Sequence, residues 1–138
     1  MRNDKINSAI LLIRIGVGTI FLSEGIQKFL FPLMLGAGRF TSIGLPAPEF
    51  LSSFVAVFEV GCGLLILAGL FTRYAAVPLI IIMLVAISST KIPLLLNDGF
   101  WVMAHAARTD WAMLLGSIVL ILTGSGKYSF DHYLSRKA

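Results

Sequence analysis

The sequence predicts an all-α fold, an integral membrane four-helix transmembrane bundle, and three observations predict it. Apolar residues make up 57% of the chain and charged residues only 13%, with a mean hydropathy of +0.90. A soluble domain carries about a quarter charged residues, and a 138-residue chain has too little interior to hide this much apolar surface. The apolar residues also run continuously, without the alternation of a membrane β-barrel strand. Four of the runs approach or reach the ~20 helical residues that cross a hydrocarbon core.

The chain is read as a single transmembrane domain, 1–138. Its first span covers about 7–31 and is interrupted by Arg14, Glu24 and Lys28. The opening Met1-Arg2-Asn3-Asp4-Lys5 followed by apolar residues resembles a signal peptide. No small-x-small cleavage site closes the run, so it is read as an uncleaved span. Pro32 ends it, and Gly44-Leu45-Pro46-Ala47-Pro48 leads into a second span at about 49–70, with Glu59 alone in its middle. Gly69 closes that span, and Thr72-Arg73 turns the chain into a third, uncharged one at about 74–90. Pro93 and Asn97-Asp98-Gly99 punctuate the longest connection. The fourth span, about 109–123, is short unless it extends back through His105, and Asp110 at its start suits the positive end of a helix dipole.

Orientation follows from the basic residues of the short loops. Arg2, Lys5, Arg73, Lys127, Arg136 and Lys137 fall on one side; Arg39, Lys91 and Arg108 fall on the other, with Lys28 near that boundary. The excess places both termini in the cytoplasm. Trp101 and Trp111 mark the outer interface, and Tyr74, Tyr128 and Tyr133 the inner one.

Composition excludes several function classes. The net charge is +4, but the basic residues stand singly, which gives no phosphate-tracking stripe and no nucleic-acid partner. The lone Cys62 cannot form a dithiol or an internal disulfide and reads as a small packing residue. His105 and His132 fall on opposite sides, and the methionines are spread singly, so no metal site is expected. The glycine pairs Gly16/Gly18 and Gly61/Gly63 lie inside spans and read as helix packing, not as phosphate loops.

The informative residues are charges inside apolar spans. Each costs about 2.5–3.5 kcal/mol near the bilayer centre, so such residues face the bundle interior and pair. Counting residues from the span ends puts Glu59 near the midplane and Arg14 within about 6 Å of its depth, which predicts an Arg14–Glu59 ion pair. That pair is either a strut between two helices or the wall of a ligand or proton site. Glu24 and Lys28 are spaced i,i+4 and can pair along one face. On the outer side, Lys91, His105, Arg108 and Asp110 are expected to join Glu24 and Lys28 in a polar pocket. His105 reads either as an interfacial histidine or as a proton donor and acceptor that suits redox chemistry.

These residues together resemble the DoxX family of small bacterial membrane proteins over nearly the whole chain. The likeness rests on Arg14-Ile15-Gly16 with Gly18, Phe21, Gly25 and Lys28, on Phe40, Gly44 and Pro46, and on Glu59, Gly61 and Gly63-Leu64-Leu65. It continues through Gly69-Leu70-Phe71-Thr72-Arg73 and Gly124-Ser125-Gly126-Lys127-Tyr128-Ser129-Phe130-Asp131. The resemblance implies a four-helix subunit of an oxidoreductase system in the bacterial inner membrane, and it matches Arg14, Lys28 and Glu59 to recurrent charged positions. The expected function is therefore a membrane subunit of a quinone-linked oxidoreductase system. The chain shows no haem-ligand pair, flavin motif or dithiol, so a quinone would be substrate or cofactor and a soluble or membrane redox partner would supply the other half-reaction. Two alternatives stay open: a non-catalytic anchor for such a partner, and a small lipid or solute carrier, which with four short helices would need to act as a homo-oligomer.

Overall fold

A computed structural model describes residues 2–137, apart from the side chain of Arg2. Its elements are α1 (Arg2–Leu30), α2 (Ala37–Ser42), α3 (Pro48–Ala68), α4 (Thr72–Ala86), a π-helical turn (Ile87–Lys91), α5 (Ile92–Asp98), α6 (Phe100–Ala106), α7 (Arg108–Thr123) and α8 (Phe130–Lys137). The described residues contain no strand. Among the described residues, three helices are long and apolar enough to cross a membrane: Asn3–Leu30, Pro48–Ala68 and the continuous Thr72–Asp98. The pair α6 and α7 is long and apolar enough for a fourth span only when taken together, across a 57° bend at Ala107. The fold is thus an all-helical transmembrane bundle.

The side chains face the way a lipid solvent demands. Leu12, Phe50, Leu96, Trp101 and Leu122 are all more than two-thirds exposed, while the interior holds Phe21, Ala56, Ile66, Leu79 and Leu120. Because hydrocarbon is as apolar as these residues, association rests on close packing. Gly18 lies against Gly63 and Leu67, and Gly25 against Ala56 and Val60. Seven residues forward on α1 therefore correspond to seven residues back on α3, which fixes the register of the antiparallel pair. The other glycine of each sequence pair, Gly16 and Gly61, has open space around it.

This division carries a prediction. A Cβ at Gly25 would come within 2.8 Å of the Ala56 carbonyl oxygen and 2.9 Å of the Val60 nitrogen. Gly25→Ala is expected to destabilise by about 1–3 kcal/mol through overpacking. Gly61→Ala is expected to be neutral or to stabilise by up to about 1 kcal/mol, because alanine favours the helix. Detergent-titrated unfolding followed by circular dichroism reads both; equal effects at the two sites would contradict the register.

Two breaks shape the termini-distal end. Pro93 lacks an N–H and its ring crowds the carbonyl four residues back, and the helix widens into the π-turn just before it. Ser89 Oγ donates to the Val85 carbonyl at 2.6 Å, and Thr90 Oγ1 to the Ala86 carbonyl at 2.5 Å, so both hydroxyls are satisfied by the preceding turn of their own helix. The third span consequently runs on to Asp98, beyond the stretch 74–90 that apolarity alone marks out. Gly99, at φ +95°, then separates α5 from α6.

At the opposite end, α3 stops in a Schellman motif. Gly69 takes φ +74°, its N–H donates to Ile66, and the Leu70 N–H donates to Leu65. The turn is held to the start of α8: the Phe71 N–H donates to Asp131 Oδ1 at 3.0 Å, and the Asp131 N–H donates to the Gly69 carbonyl at 3.0 Å. Asn7 Oδ1 accepts from the Lys127 N–H, which gathers both terminal regions and the α3–α4 turn at one end of the bundle.

Candidate functional site

Charged side chains inside the spans form two separate groups, at different heights. The helix register just described decides which residues meet. Extending it back from Gly18 brings Arg14 level with the last turn of α3, where a Cβ on Gly69 would lie 2.5 Å from Arg14 Nη2. Extending it forward from Gly25 sets Lys28 level with Ser53. Because helical side chains lean toward the N-terminus of their own helix, Lys28 and Glu59 lean toward each other along the antiparallel pair and meet.

The expected Arg14–Glu59 pair is therefore absent. Arg14 is 2% exposed and donates only to backbone carbonyls: Nε to Ile66 at 2.9 Å, Nη2 to Leu67 at 2.9 Å, and Nη1 to Ser125 at 3.1 Å and Tyr128 at 2.5 Å. The last carbonyls of a helix lack intrahelical partners and carry the negative end of its dipole, so a guanidinium fork suits them. Arg14 thus clamps α1 to the end of α3 and to the loop before α8. Counting from the ends of apolar runs placed it at the wrong height because α1 begins at Arg2, not near Asn7, and the glycine contacts set the level.

Glu59 instead pairs with Lys28. Its Oε2 lies 2.9 Å and its Oε1 3.2 Å from Lys28 Nζ. The side chains are 3% and 11% exposed, so both charges are largely withdrawn from solvent, and an unpartnered member would be costly. Glu24 lies 3.8 Å from the same Nζ, but its side chain is half exposed. At that distance and exposure the contact adds at most about 1 kcal/mol. Glu24→Gln is expected to leave unfolding unchanged within that limit, measured by the same detergent titration.

The Lys28–Glu59 pair stands on the wall of a cavity of about 460 Å³ between α1, α3, α4 and α7, with α2 over its end. Phe21, Phe40, Phe54, Ile82 and Met113 supply much of its apolar lining. Its polar lining adds Glu24, Arg39, Lys91 and Asp110. Lys91 Nζ lies 3.1 Å from Asp110 Oδ2, joining the π-turn to the start of α7. Among the described residues, Arg39 has no carboxylate within ion-pair distance. A volume in the range of small-molecule sites, mostly apolar walls and a few convergent charges are the usual features of a ligand pocket.

The chain therefore brings together Glu24, Lys28, Glu59, Lys91 and Asp110 of the residues expected from sequence, and leaves Arg14 at the other end. His105 and Arg108 are exposed and do not line the cavity; the Arg108 guanidinium donates to the His105 carbonyl. They lie on the far side of the bend at Ala107, or on its edge, where the helix direction changes before Asp110. Arg39 was visible only as a loop charge. Nothing in its local sequence marks it, because α2 is too short to show periodicity.

The DoxX family profile matches residues 9–95, which include Arg14, Glu24, Lys28 and Glu59. The chain belongs to the DoxX family. It is 52% identical over 136 residues to "Uncharacterized membrane protein Rv3486" of Mycobacterium tuberculosis, covering 94% of this chain and 83% of that one. It is 33% identical over 135 residues to "Putative oxidoreductase CatD" of Bacillus subtilis, covering 96% and 91%. No solved structure matches. In this DoxX protein the matched segment carries the cavity wall from α1 to the π-helical turn, and α7 closes the remaining side with Asp110 and Met113.

Proposed function

We propose that this DoxX-family protein is the membrane subunit of a quinone-linked oxidoreductase system, with the quinone ring seated in the cavity beside Lys28 and Glu59. The observation that carries the reading is the withdrawn ammonium–carboxylate pair on the wall of an apolar cavity of ligand size. A quinone carbonyl needs a hydrogen-bond donor in apolar surroundings, and Lys28 offers one. Reduction of a quinone to its quinol takes two electrons and two protons. A soluble or membrane redox partner is the source of the electrons, since the chain has no haem-ligand pair, flavin motif or dithiol. Glu59, with half-exposed Glu24 beside it, offers a carboxylate relay for protons from the cavity mouth. The name of the Bacillus relative, an oxidoreductase, agrees with this reading.

The excess of Lys5, Arg73, Lys127, Arg136 and Lys137 near the termini supports a cytoplasmic placement of that end in the bacterial inner membrane. The cavity then runs from the middle of the bilayer toward its outer face, and the partner docks where electrons can reach it.

The test is direct. Purify the protein in mild detergent, extract the bound small molecules and identify them by mass spectrometry. A quinone is expected with the native chain and is expected to fall at least ~10-fold with the double variant Lys28→Met/Glu59→Met, which removes both polar groups together. Recovery of phospholipid alone from the native chain would refute the quinone reading and leave the anchor or carrier alternative.

A further inference from the structure

The cavity wall includes residues that also face outward. Phe54 on α3 is 49% exposed, and Ile81 and Val85 on α4 are 57% and 46% exposed, against 38% for Ile20 on α1, so the three most exposed apolar residues that line the cavity stand on α3 and α4. A side chain that belongs both to the lining and to the outer surface stands at the rim of an opening.

Register shows where the rim lies. α3 and α4 form an antiparallel hairpin through the turn at Gly69–Phe71, so residues equally far from Leu70 stand at equal depth. Val55 and Val85 are each fifteen residues from Leu70, and Glu59 and Ile81 are each eleven. All four line the cavity. The opening is therefore between α3 and α4, beside the level of Glu59. Val85 is also the midpoint of the 27-residue span Thr72–Asp98, which puts the rim ~20 Å from either end of that helix. At that depth the surroundings are hydrocarbon, and the rim is accordingly apolar.

A strip of rings leads along α3 past the same place. Phe50 and Phe54 stack with centroids 5.8 Å apart, and Phe54 and Phe58 are 4.8 Å apart.

We infer that the cavity is filled sideways from the bilayer, through the opening between α3 and α4. The ligand is a lipid-soluble amphiphile whose polar head sits at Lys28–Glu59 while its apolar tail lies in the opening against Phe54 and Val85. The inference rests on the proposed quinone reading and narrows it, because it requires a tail-bearing quinone that never leaves the membrane. A cavity reached only from the aqueous mouth, near Arg39, would favour a tail-less ligand.

Two quinones with the same ring test it, one carrying a long isoprenoid tail and one with the tail cut to a methyl group. Both are titrated against the full-length protein in nanodiscs. Val85→Trp and Ile81→Trp place an indole at the rim without touching Lys28 or Glu59. Each is expected to weaken binding of the tailed quinone at least ~10-fold and to change binding of the tail-less one less than ~2-fold, which also shows that the variant has folded. Equal loss of both ligands, or no change in either, would overturn side entry while leaving the quinone reading intact. If the native chain binds neither quinone, that reading fails on its own. Side entry is then judged with brominated acyl chains in vesicles, using Phe21→Trp as reporter in a Trp101→Phe/Trp111→Phe background. Phe21 is 1% exposed on the cavity wall. Its quenching is expected to fall at least ~2-fold when Val85→Phe narrows the rim; quenching that does not respond to Val85→Phe would overturn side entry.

Discussion

Arg14→Met is expected to destabilise the bundle by on the order of 4 kcal/mol or more, the largest effect of any single substitution in the chain. The guanidinium serves four carbonyls from two segments, Ile66 and Leu67 at the end of α3 and Ser125 and Tyr128 in the loop before α8. Methionine matches its length and fills the space, but it removes the donor from the Leu67, Ser125 and Tyr128 carbonyls and leaves Ile66 with only the Gly69 N–H. Each unsatisfied buried acceptor costs about 1–3 kcal/mol, and bonds to a charged donor are among the stronger ones. Arg14→Lys keeps the charge but presents one nitrogen in place of a planar fork with five donors. It is expected to recover less than half of the loss. Gly69→Ala attacks the same clamp from the other side, since its Cβ would meet Arg14 Nη2 and Ser129 Cβ at 2.5 Å and φ is +74°. Combined with Arg14→Met it is expected to be non-additive by at least ~1 kcal/mol, as contacting residues are. Detergent unfolding of the four variants measures this. Additive effects, or an Arg14→Lys variant as stable as the native chain, would show that the four carbonyls do not depend on the fork.

The second large effect belongs to Glu59. Glu59→Gln leaves the Lys28 ammonium, 11% exposed, with an amide oxygen in place of a carboxylate. Breaking a buried pair from one side costs about 3–5 kcal/mol, whereas replacing both members with apolar residues of similar size is often neutral or stabilising. The double variant Glu59→Leu/Lys28→Leu is therefore expected to unfold within ~1 kcal/mol of the native chain. It is also expected to lose the quinone proposed for the cavity. That combination, restored stability with abolished ligand capture, separates a pair kept for binding from one kept as a strut. A double variant that is stable and still captures the ligand would make the pair dispensable to the site. A double variant as unstable as Glu59→Gln would make it structural.

These two predictions concern charges that the sequence grouped together and the bundle separates. Arg14 and Glu59 stood out because an ionisable group in an apolar span has to be explained, and that argument needs no coordinates. Their partners did not follow from it. Depth counted from the edges of apolar runs carries an error of several residues, and one helical turn is about 5.4 Å, enough to exchange one partner for another. The true register comes from Gly18 against Gly63 and Gly25 against Ala56. Sequence marks all the small residues alike, so Gly16 and Gly61, which face open space, looked as relevant as Gly18 and Gly63. Arg39 entered the cavity lining through a short helix without a pattern of its own. His105 and Arg108 missed it because α6 and α7 bend by 57°, a change of direction with no proline to announce it.

Composition and continuous apolar runs were enough to determine an all-helical membrane bundle, because only a helix satisfies every backbone group within a segment that lies in hydrocarbon. The same physics, applied to side chains, determined which residues would be special: the few whose charge has no place in lipid. Only the tertiary structure decided whom those residues meet. Pairing depends on the relative sliding and rotation of helices, and in a lipid solvent these are set by close backbone approach at particular glycines, not by any pattern along one segment. A one-turn shift, about 5.4 Å, would have separated Lys28 from Glu59.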